Sequence, residues 1–273
     1  RKAVENEYAQ WTTNLPGAIT GYENARDLAA YVNWSATVSP AGYVTRPTMF
    51  MSKMSMCNVY HWDHAFNAMA HCTHHPDLAW DQLVVMHDLK DEYGKPPSNL
   101  NRDRIGWTIS NAPIHGWAFR RMWDRNPDMM TPERIKEAYE YLSSWTDWTC
   151  DYRTWPGDSL PYYAHGFDCG WDNSTIFDQG VPVVTPDQPA YLILQMEALV
   201  DLARELGREQ DADNWQKRRD AMLTALIDDL WEEDHFVGRL PASGEVVHCE
   251  SLIICMPMVL GARLPEEIRT HLI

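Results

Sequence analysis

The sequence has no apolar run of about 18 residues, the length at which a helix can span a bilayer. A membrane-spanning segment is therefore not supported, and no membrane partner is expected. No signal peptide is recognisable either. The chain starts at Arg1 rather than Met, so we expect that it does not begin at a natural N-terminus. The lack of a signal peptide therefore says little about the compartment.

Basic side chains are also scarce. The chain has 23 Lys and Arg residues against 39 Asp and Glu residues, which gives a net charge of −16. Such a surface repels nucleic acid phosphates and anionic membranes, and it suits a neutral or cationic ligand. Nucleic acid is therefore not an expected partner, although the same charge can serve solubility alone.

The cysteine pattern excludes a second set of functions. None of the six cysteines forms a CxxC pair or stands at zinc-finger spacing from histidine. The absence of a disulfide framework weakly favours a cytoplasmic location. A group of histidines at 71, 74 and 75 raises the question of a metal site, but solvated or core histidines are the favoured interpretation. We therefore predict no metal and no cofactor.

Aromatic residues are abundant, and their types are uneven. There are 13 Trp and 12 Tyr residues but only 6 Phe residues. Trp and Tyr combine a flat apolar face with a polar group, and sugar-binding sites use this combination because the C–H face of a pyranose stacks on an indole. A core rich in Trp would have the same composition, so composition leaves both interpretations open.

Hydrophobic periodicity predicts an all-α fold. No strand is evident beyond short candidates at 181–184 and 236–239, whereas helical spacing recurs along the whole chain. The predicted helices cover about residues 2–11, 23–34, 62–70, 76–89, 113–123, 131–145, 188–206, 208–231, 250–260 and 265 onward. Tight turns such as Gly207 alternate with long loops, which is typical of an α/α toroid whose loops build a pocket at one end.

Two irregular segments carry unusual residues, at 58–66 and 165–174. Each contains a Trp-Asp pair at or before a predicted helix start, Trp62-Asp63 in the first and Trp171-Asp172 in the second. An aspartate at a helix start can simply accept hydrogen bonds from free backbone N–H groups. The duplication and the neighbouring aromatic residues favour a functional interpretation instead.

These segments resemble the motifs of the glycoside hydrolase family 63-type enzymes, which include processing α-glucosidases and the mannosylglycerate and glucosylglycerate hydrolases. Residues 170–174 match the G-W-D-N-S signature of the group, and residues 62–66 resemble its earlier W-D-x-A-F motif. Residues 111–117 resemble a Q-P-P-like segment, with Asn111 where the group tends to have glutamine. The first two motifs in this order make a fairly specific pair.

The resemblance implies an (α/α)6 barrel that hydrolyses α-glycosidic bonds with inversion. It assigns the general acid to Asp172 and the binding of sugar hydroxyls to Asp63. Expected substrate-binding residues are Tyr60, Trp62, Asp63, Phe66, Asn111, His115, Trp171 and Asn173. Trp171 and Phe167 are expected to surround the acid with apolar surface, which would disfavour its charged form.

The barrel is expected to be incomplete in this chain. The general base of the group is a glutamate after its eleventh helix, but only eight or nine barrel helices are predicted before Ile273. We therefore expect residues 1–273 to be part of a catalytic barrel, with the base and the C-terminal helices outside it. An N-terminal β-domain is a further candidate for a part outside these residues. Glu250 is interpreted as a first-turn acid of a helix rather than as the base.

The expected function is hydrolysis of an α-glucoside, with an α-mannoside as the second choice of substrate. Two alternatives remain. A sugar epimerase or lyase can use the same barrel, and an epimerase would pair two histidines, for which His115 and His165 are the candidates. The chain could also be a non-catalytic barrel that binds glycans.

Overall fold

Helices make up most of the computed structural model, which describes residues 1–272. The α-helices are α1 (Lys2–Thr13), α2 (Glu23–Ala36), α3 (His61–His71), α4 (Pro76–Val84), α5 (His115–Arg125), α6 (Pro132–Tyr152), α7 (Gly166–Cys169), α8 (Asp187–Glu205), α9 (Glu209–Leu230) and α10 (Glu266–His271). Short 3₁₀ helices cover His87–Leu89, Pro127–Met129 and Thr175–Phe177, and a longer one covers Leu252–Arg263. The predicted all-α class is confirmed.

The strands are all two residues long. They are β1 (Thr37–Val38), β2 (Thr48–Met49), β3 (Val59–Tyr60), β4 (Asn99–Leu100), β5 (Ile105–Gly106), β6 (Trp231–Glu232), β7 (His235–Phe236), β8 (Gly238–Arg239) and β9 (Val246–Val247). They form three antiparallel pairs and one three-stranded sheet in the order β3-β4-β5. The candidate strand at 181–184 contributes only single bridges from Val183 and Val184.

Helix boundaries follow local chemistry closely. The hydroxyl of Thr131 accepts a hydrogen bond from the amide of Arg134 at 3.3 Å, and Pro132 occupies the first turn of α6, as predicted. Asp187 is the first residue of α8 and not its N-cap, which is Pro186.

The predicted α-helix near 250–260 is wrong in type. Pro257 lies inside this segment and lacks an amide donor, and the segment forms a 3₁₀ helix.

Helix α8 is the centre of the core. It packs against α5, α6, α9 and the Leu252–Arg263 helix, and nearly every residue from Asp187 to Ala203 is buried. The adjoining helices α3 and α4 pack together, and α3 also contacts α5, so antiparallel helix pairs follow one another around a toroid-like arrangement. Among residues 1–272, no helix has both the length and the apolarity that crossing a bilayer requires.

A stack of buried imidazoles lies between α3, α5 and α6. His61 and His115 are fully buried with ring centroids 4.2 Å apart, and His61 Nε2 lies 2.5 Å from the hydroxyl of Tyr141. Neither ring nitrogen of His115 has a hydrogen-bond partner in the described structure. Burial is the main reason that the pKa of His115 is lowered from its ordinary value to about 3.

The buried His115 predicts a loss of stability in acid. Because its folded pKa lies below the ordinary value, its stabilising contribution is complete above that value and falls as the pH drops toward about 3. Urea unfolding of the wild type should show a decrease of roughly 1–2 kcal/mol from this group between about pH 7 and about pH 5. His115→Phe keeps an aromatic ring in the stack and should flatten this pH dependence.

The matched control is His248→Asn, because the side chain of His248 is 61% exposed. This variant should retain the wild-type slope of unfolding free energy against pH. Equal slopes for the wild type and His115→Phe would contradict the assignment.

Candidate active site

The two Trp-Asp motifs are in direct contact. β3 leads straight into α3, so Trp62 and Asp63 lie in the first turn of this helix. Gly170 ends α7 in the left-handed conformation, with a φ angle of +77°. A Cβ atom built on Gly170 would lie 2.5 Å from Cζ2 of Trp62, so the indole occupies the space that a side chain would need.

This contact brings the two aspartates within electrostatic reach. Asp172 is exposed in a turn in which the amide of Ser174 donates to the carbonyl of Trp171 at 2.8 Å. Asp63 is partly buried. Burial raises the pKa of Asp63, its own backbone amide lowers it, and the charge of Asp172 raises it further.

Neither aspartate is a helix cap. Tyr60 is the N-cap of α3, and Ser174 is the N-cap of the 3₁₀ helix that follows Asp172, with its hydroxyl accepting from the amide of Ile176. Asp63 still lies in the first turn of α3, where its own backbone amide bonds its carboxylate, so part of its role is local to the helix start. The segment of Asp172 packs on Trp62 through Gly170.

A buried carboxylate secures the loop that carries Asp172. Asp168 is 1% exposed, and its Oδ1 accepts from the amide of Ser110 at 2.7 Å. Its Oδ2 accepts from the amides of Ala164 at 2.9 Å and His165 at 3.2 Å. Asp168 therefore ties the segment before Asn111 to the loop that contains Asp172.

The role of Asp168 was not predicted from the sequence. A local signal was nevertheless present, because His165 and Asp168 stand at capping-box spacing. The side chain of His165 accepts from the amide of Phe167, and the carboxylate of Asp168 accepts from the amide of His165. The bond to Ser110, 58 residues away, is a tertiary contact that spacing cannot indicate.

Aromatic side chains surround the two aspartates unevenly. Trp62 packs edge-to-face against Phe66 at 5.7 Å, and Phe66 is 45% exposed. Trp171 is partly buried and packs against the apolar cluster that contains Tyr163 and Ile176. Phe167 does not surround Asp172 with apolar surface as predicted, because it is 51% exposed and pairs with His165 at 4.7 Å.

The remaining predicted site residues have varied environments. Asn111 is 5% exposed with a φ angle of +61°, and its Nδ2 has no partner in the described structure. Tyr60 is partly buried and accepts a bond from Asn58 Nδ2 at 3.2 Å, whereas Asn173 is exposed. His115 lies in the core with no exposed surface, so the structure does not bring its imidazole to the surface that Asp63 and Asp172 share.

One surface groove lies away from the two Trp-Asp motifs. It has a volume of about 450 Å³ between α5, α8 and the Leu252–Arg263 helix. Ion pairs line it, including Arg120–Asp201 at 2.6 Å and Arg263–Glu197 at 2.6 Å. None of the motif residues that carry the two aspartates lines this groove, and its paired charges fit helix packing better than sugar binding.

No group of three or more possible metal ligands occurs within residues 1–272.

The Trp62–Gly170 contact predicts the effect of a single methyl group. Gly170→Ala should destabilise the protein by about 1–2 kcal/mol from the left-handed backbone, and by a further ~1–3 kcal/mol from the clash with Trp62. Gly157→Ala is the matched control, because Gly157 has a φ angle of +87° and open space around its Cα. Urea unfolding would measure both, and equal losses would show that the indole does not fill this space.

Asp168 predicts a second effect, on the loop of Asp172. Asp168→Asn keeps the size of the side chain but removes charge-assisted bonds from three backbone amides, so we expect a loss of about 2–3 kcal/mol in unfolding free energy. Asp178→Asn, an exposed aspartate farther along the same loop, should be neutral. Hydrogen exchange at the amide of Ser110 should accelerate only in the Asp168 variant, and unchanged exchange there would contradict the tie.

Comparisons with known proteins bear on the family and the fold of the chain. A sequence model of the mannosylglycerate hydrolase MGH1-like glycoside hydrolase domain matches residues 56–273. No curated protein matches the sequence. An uncharacterised conserved protein from Thermus thermophilus is similar in structure, with a TM-score of 0.72 and 16% identity over 89% of this chain and 73% of that one.

Two structures of the GH63 mannosylglycerate hydrolase from Thermus thermophilus are also similar. The complex with glucose has a TM-score of 0.69 and 17% identity, over 90% of this chain and 73% of that one. The complex with Tris has a TM-score of 0.68 and 17% identity, over 90% and 75%. The solved structures show the shared toroid-like fold, and the match of the family model over residues 56–273 shows that the chain belongs to the MGH1-like glycoside hydrolases.

Proposed function

We propose that the chain is an inverting α-glycosidase that hydrolyses an α-glucoside, or an α-mannoside as the second choice, with Asp172 as its general acid. The observation that carries the proposal is the packing of Trp62 on Gly170, which places Asp63 and Asp172 together among aromatic side chains. Asp172 would supply the acid of glycoside hydrolysis, and Asp63 with the nearby indole would supply groups that bind a sugar ring.

Asp172 suits the role of the acid. Its exposed position in a turn lets a bound glycoside bring the leaving oxygen within hydrogen-bond distance. Protonation of that oxygen as the bond to the anomeric carbon breaks is the task of a general acid. The carboxylate of Asp168 holds the loop in place from four residues away.

Asp63 would bind sugar hydroxyls. Its partial burial removes competing water, and its raised pKa leaves it able to accept and, when protonated, to donate hydrogen bonds. Trp62, Phe66 and Trp171 would form the apolar walls, because each has aromatic surface beside an aspartate. Tyr60, Asn111 and Asn173 would supply polar contacts, and the free Nδ2 of Asn111 is an available donor.

The carboxylate that activates water is not assigned among residues 1–272. An inverting enzyme needs this base about 6.5–9.5 Å from the acid. Glu250 precedes Ser251, whose hydroxyl lies 2.7 Å from that of Ser174, so its segment runs beside the loop of Asp172. Glu250 is not a first-turn acid as predicted, because Ser251 is the N-cap of the 3₁₀ helix that follows it.

The substrate proposal draws on the sugar chemistry of the relatives. One structure of the Thermus thermophilus mannosylglycerate hydrolase contains glucose. A glucoside and a mannoside are therefore both reasonable substrates, and they differ only in the orientation of the 2-hydroxyl. An epimerase that pairs His115 with His165 has less support, because His115 is fully buried and His165 bonds the backbone of α7.

Removal of the proposed acid should abolish turnover of poorly activated substrates. Asp172→Asn should lower kcat by about 10²–10⁴-fold on an alkyl α-glucoside. On a dinitrophenyl α-glucoside the loss should be much smaller, because this leaving group departs without protonation. Asp178→Asn in the same loop serves as the control and should retain wild-type rates.

The stereochemistry would be followed by proton NMR of the first product released. Inversion gives the β-sugar from an α-glycoside. Release of the α-sugar, or equal activity of Asp172→Asn and the wild type on both substrates, would reject the proposed mechanism.

A further inference from the structure

Strand topology brings one more aromatic residue to the end of the sheet from which the first Trp-Asp motif starts. β3 and β5 are both antiparallel to β4, so they run in the same direction, and their C-terminal ends lie at the same end of the sheet. β3 continues into α3 and its Trp-Asp motif, whereas β5 continues into Trp107. The two exits lie two strand spacings apart, about 10 Å.

Two buried charged groups hold the segment that begins at Trp107. At one end, the ammonium of Lys95, a residue that is only 8% exposed, donates to the carbonyl of Trp107. At the other end, Asp168 accepts from the amide of Ser110 at 2.7 Å. Residues 107–110 are therefore fastened at both ends by charge-assisted bonds, directly before Asn111.

The surroundings of Lys95 show why its charge persists in the interior. Its Nζ lies 5.9 Å from the ring centroid of Trp107 and 5.5 Å from that of Trp148, so indole rings replace part of its hydration. Burial lowers the pKa of Lys95, and Arg153 lowers it further, whereas Asp168 and Asp91 raise it. The ammonium thus bonds the backbone of Trp107 from within the protein and lies near its indole ring.

Trp107 nevertheless keeps aromatic surface for a ligand. It is 38% exposed, although a buried cation bonds its backbone carbonyl and lies 5.9 Å from the centroid of its ring. A fixed indole loses little side-chain freedom on binding, which favours stacking with a sugar ring. A tryptophan that served only the core would be expected to bury more of its surface.

We propose that Trp107 is a stacking wall for the sugar or its aglycone at the rim of the site, and that Lys95 positions it. This inference rests on the proposed glycosidase function. It adds a substrate-contacting residue outside the three motifs, and it predicts that binding depends on a lysine that does not itself touch the substrate.

The experiment compares affinity and turnover in four variants. Ligand-observed NMR would give the Kd of methyl α-glucoside, and initial rates would give KM and kcat for an aryl α-glucoside. Trp107→Ala should raise Kd and KM about tenfold with little change in kcat, because stacking stabilises ground and transition states alike. Trp107→Phe should keep most of the affinity. Lys95→Met should also raise KM, whereas Lys95→Arg keeps the positive charge and should have a KM close to that of the wild type.

The matched control is Trp155→Ala. Trp155 is 37% exposed, almost the same fraction as Trp107, but it lies on the loop between α6 and α7. Its removal should leave Kd and KM unchanged. If Lys95→Met fails to fold, the two Trp107 variants still decide the role of the indole.

The outcomes separate this inference from the proposed function. Wild-type affinity in Trp107→Ala, together with loss of binding in Trp62→Ala, would overturn the role of Trp107 and leave the glycosidase assignment intact. A wild-type protein that neither binds nor hydrolyses any α-glycoside in a broad panel would overturn both. An equal rise in KM for Trp155→Ala would show a general loss of stability rather than a stacking wall.

Discussion

The contact between Trp62 and Gly170 is the constraint on which the candidate site depends. It joins a residue of α3 to the end of α7, more than 100 positions later, and it leaves no room for a Cβ atom. Because the contact involves a rigid indole and a bare backbone, it fixes the separation of the two motifs more tightly than flexible side chains would. Asp63 and Asp172 follow their respective partners by one and two residues.

Buried charge extends this constraint to a third segment. Asp168 and Lys95 each bond to backbone groups of residues 107–110, and both lie in the interior. Burying a charged group without partners is costly, so such groups persist where their bonds are satisfied by fixed donors and acceptors. The loops of the site are thus fastened by local electrostatics, although they contain little regular secondary structure.

Sequence patterns predicted the helices and the family but not the tertiary bonds. Thr131 and Pro132 indicated the start of α6 because capping chemistry is local, and the paired motifs indicated a glycoside hydrolase. The burial of His115 had a local signal, since it shares one face of α5 with Phe119 and Met122. Its packing against Trp145 of α6 is a tertiary contact that this spacing does not indicate. Trp107 was missed for a related reason: its position follows from the pairing of three two-residue strands, which leave almost no periodicity in the sequence.

The tight turn at Gly207 has a consequence for how the molecule assembles. It makes the extensive packing between α8 and α9 local in sequence, so this hairpin can form with little loss of loop entropy. The loop of Asp172 enters the same hairpin at the N-terminus of α8. The bond between Asp168 and Ser110 closes a loop of 58 residues and therefore carries a larger entropic cost than this hairpin.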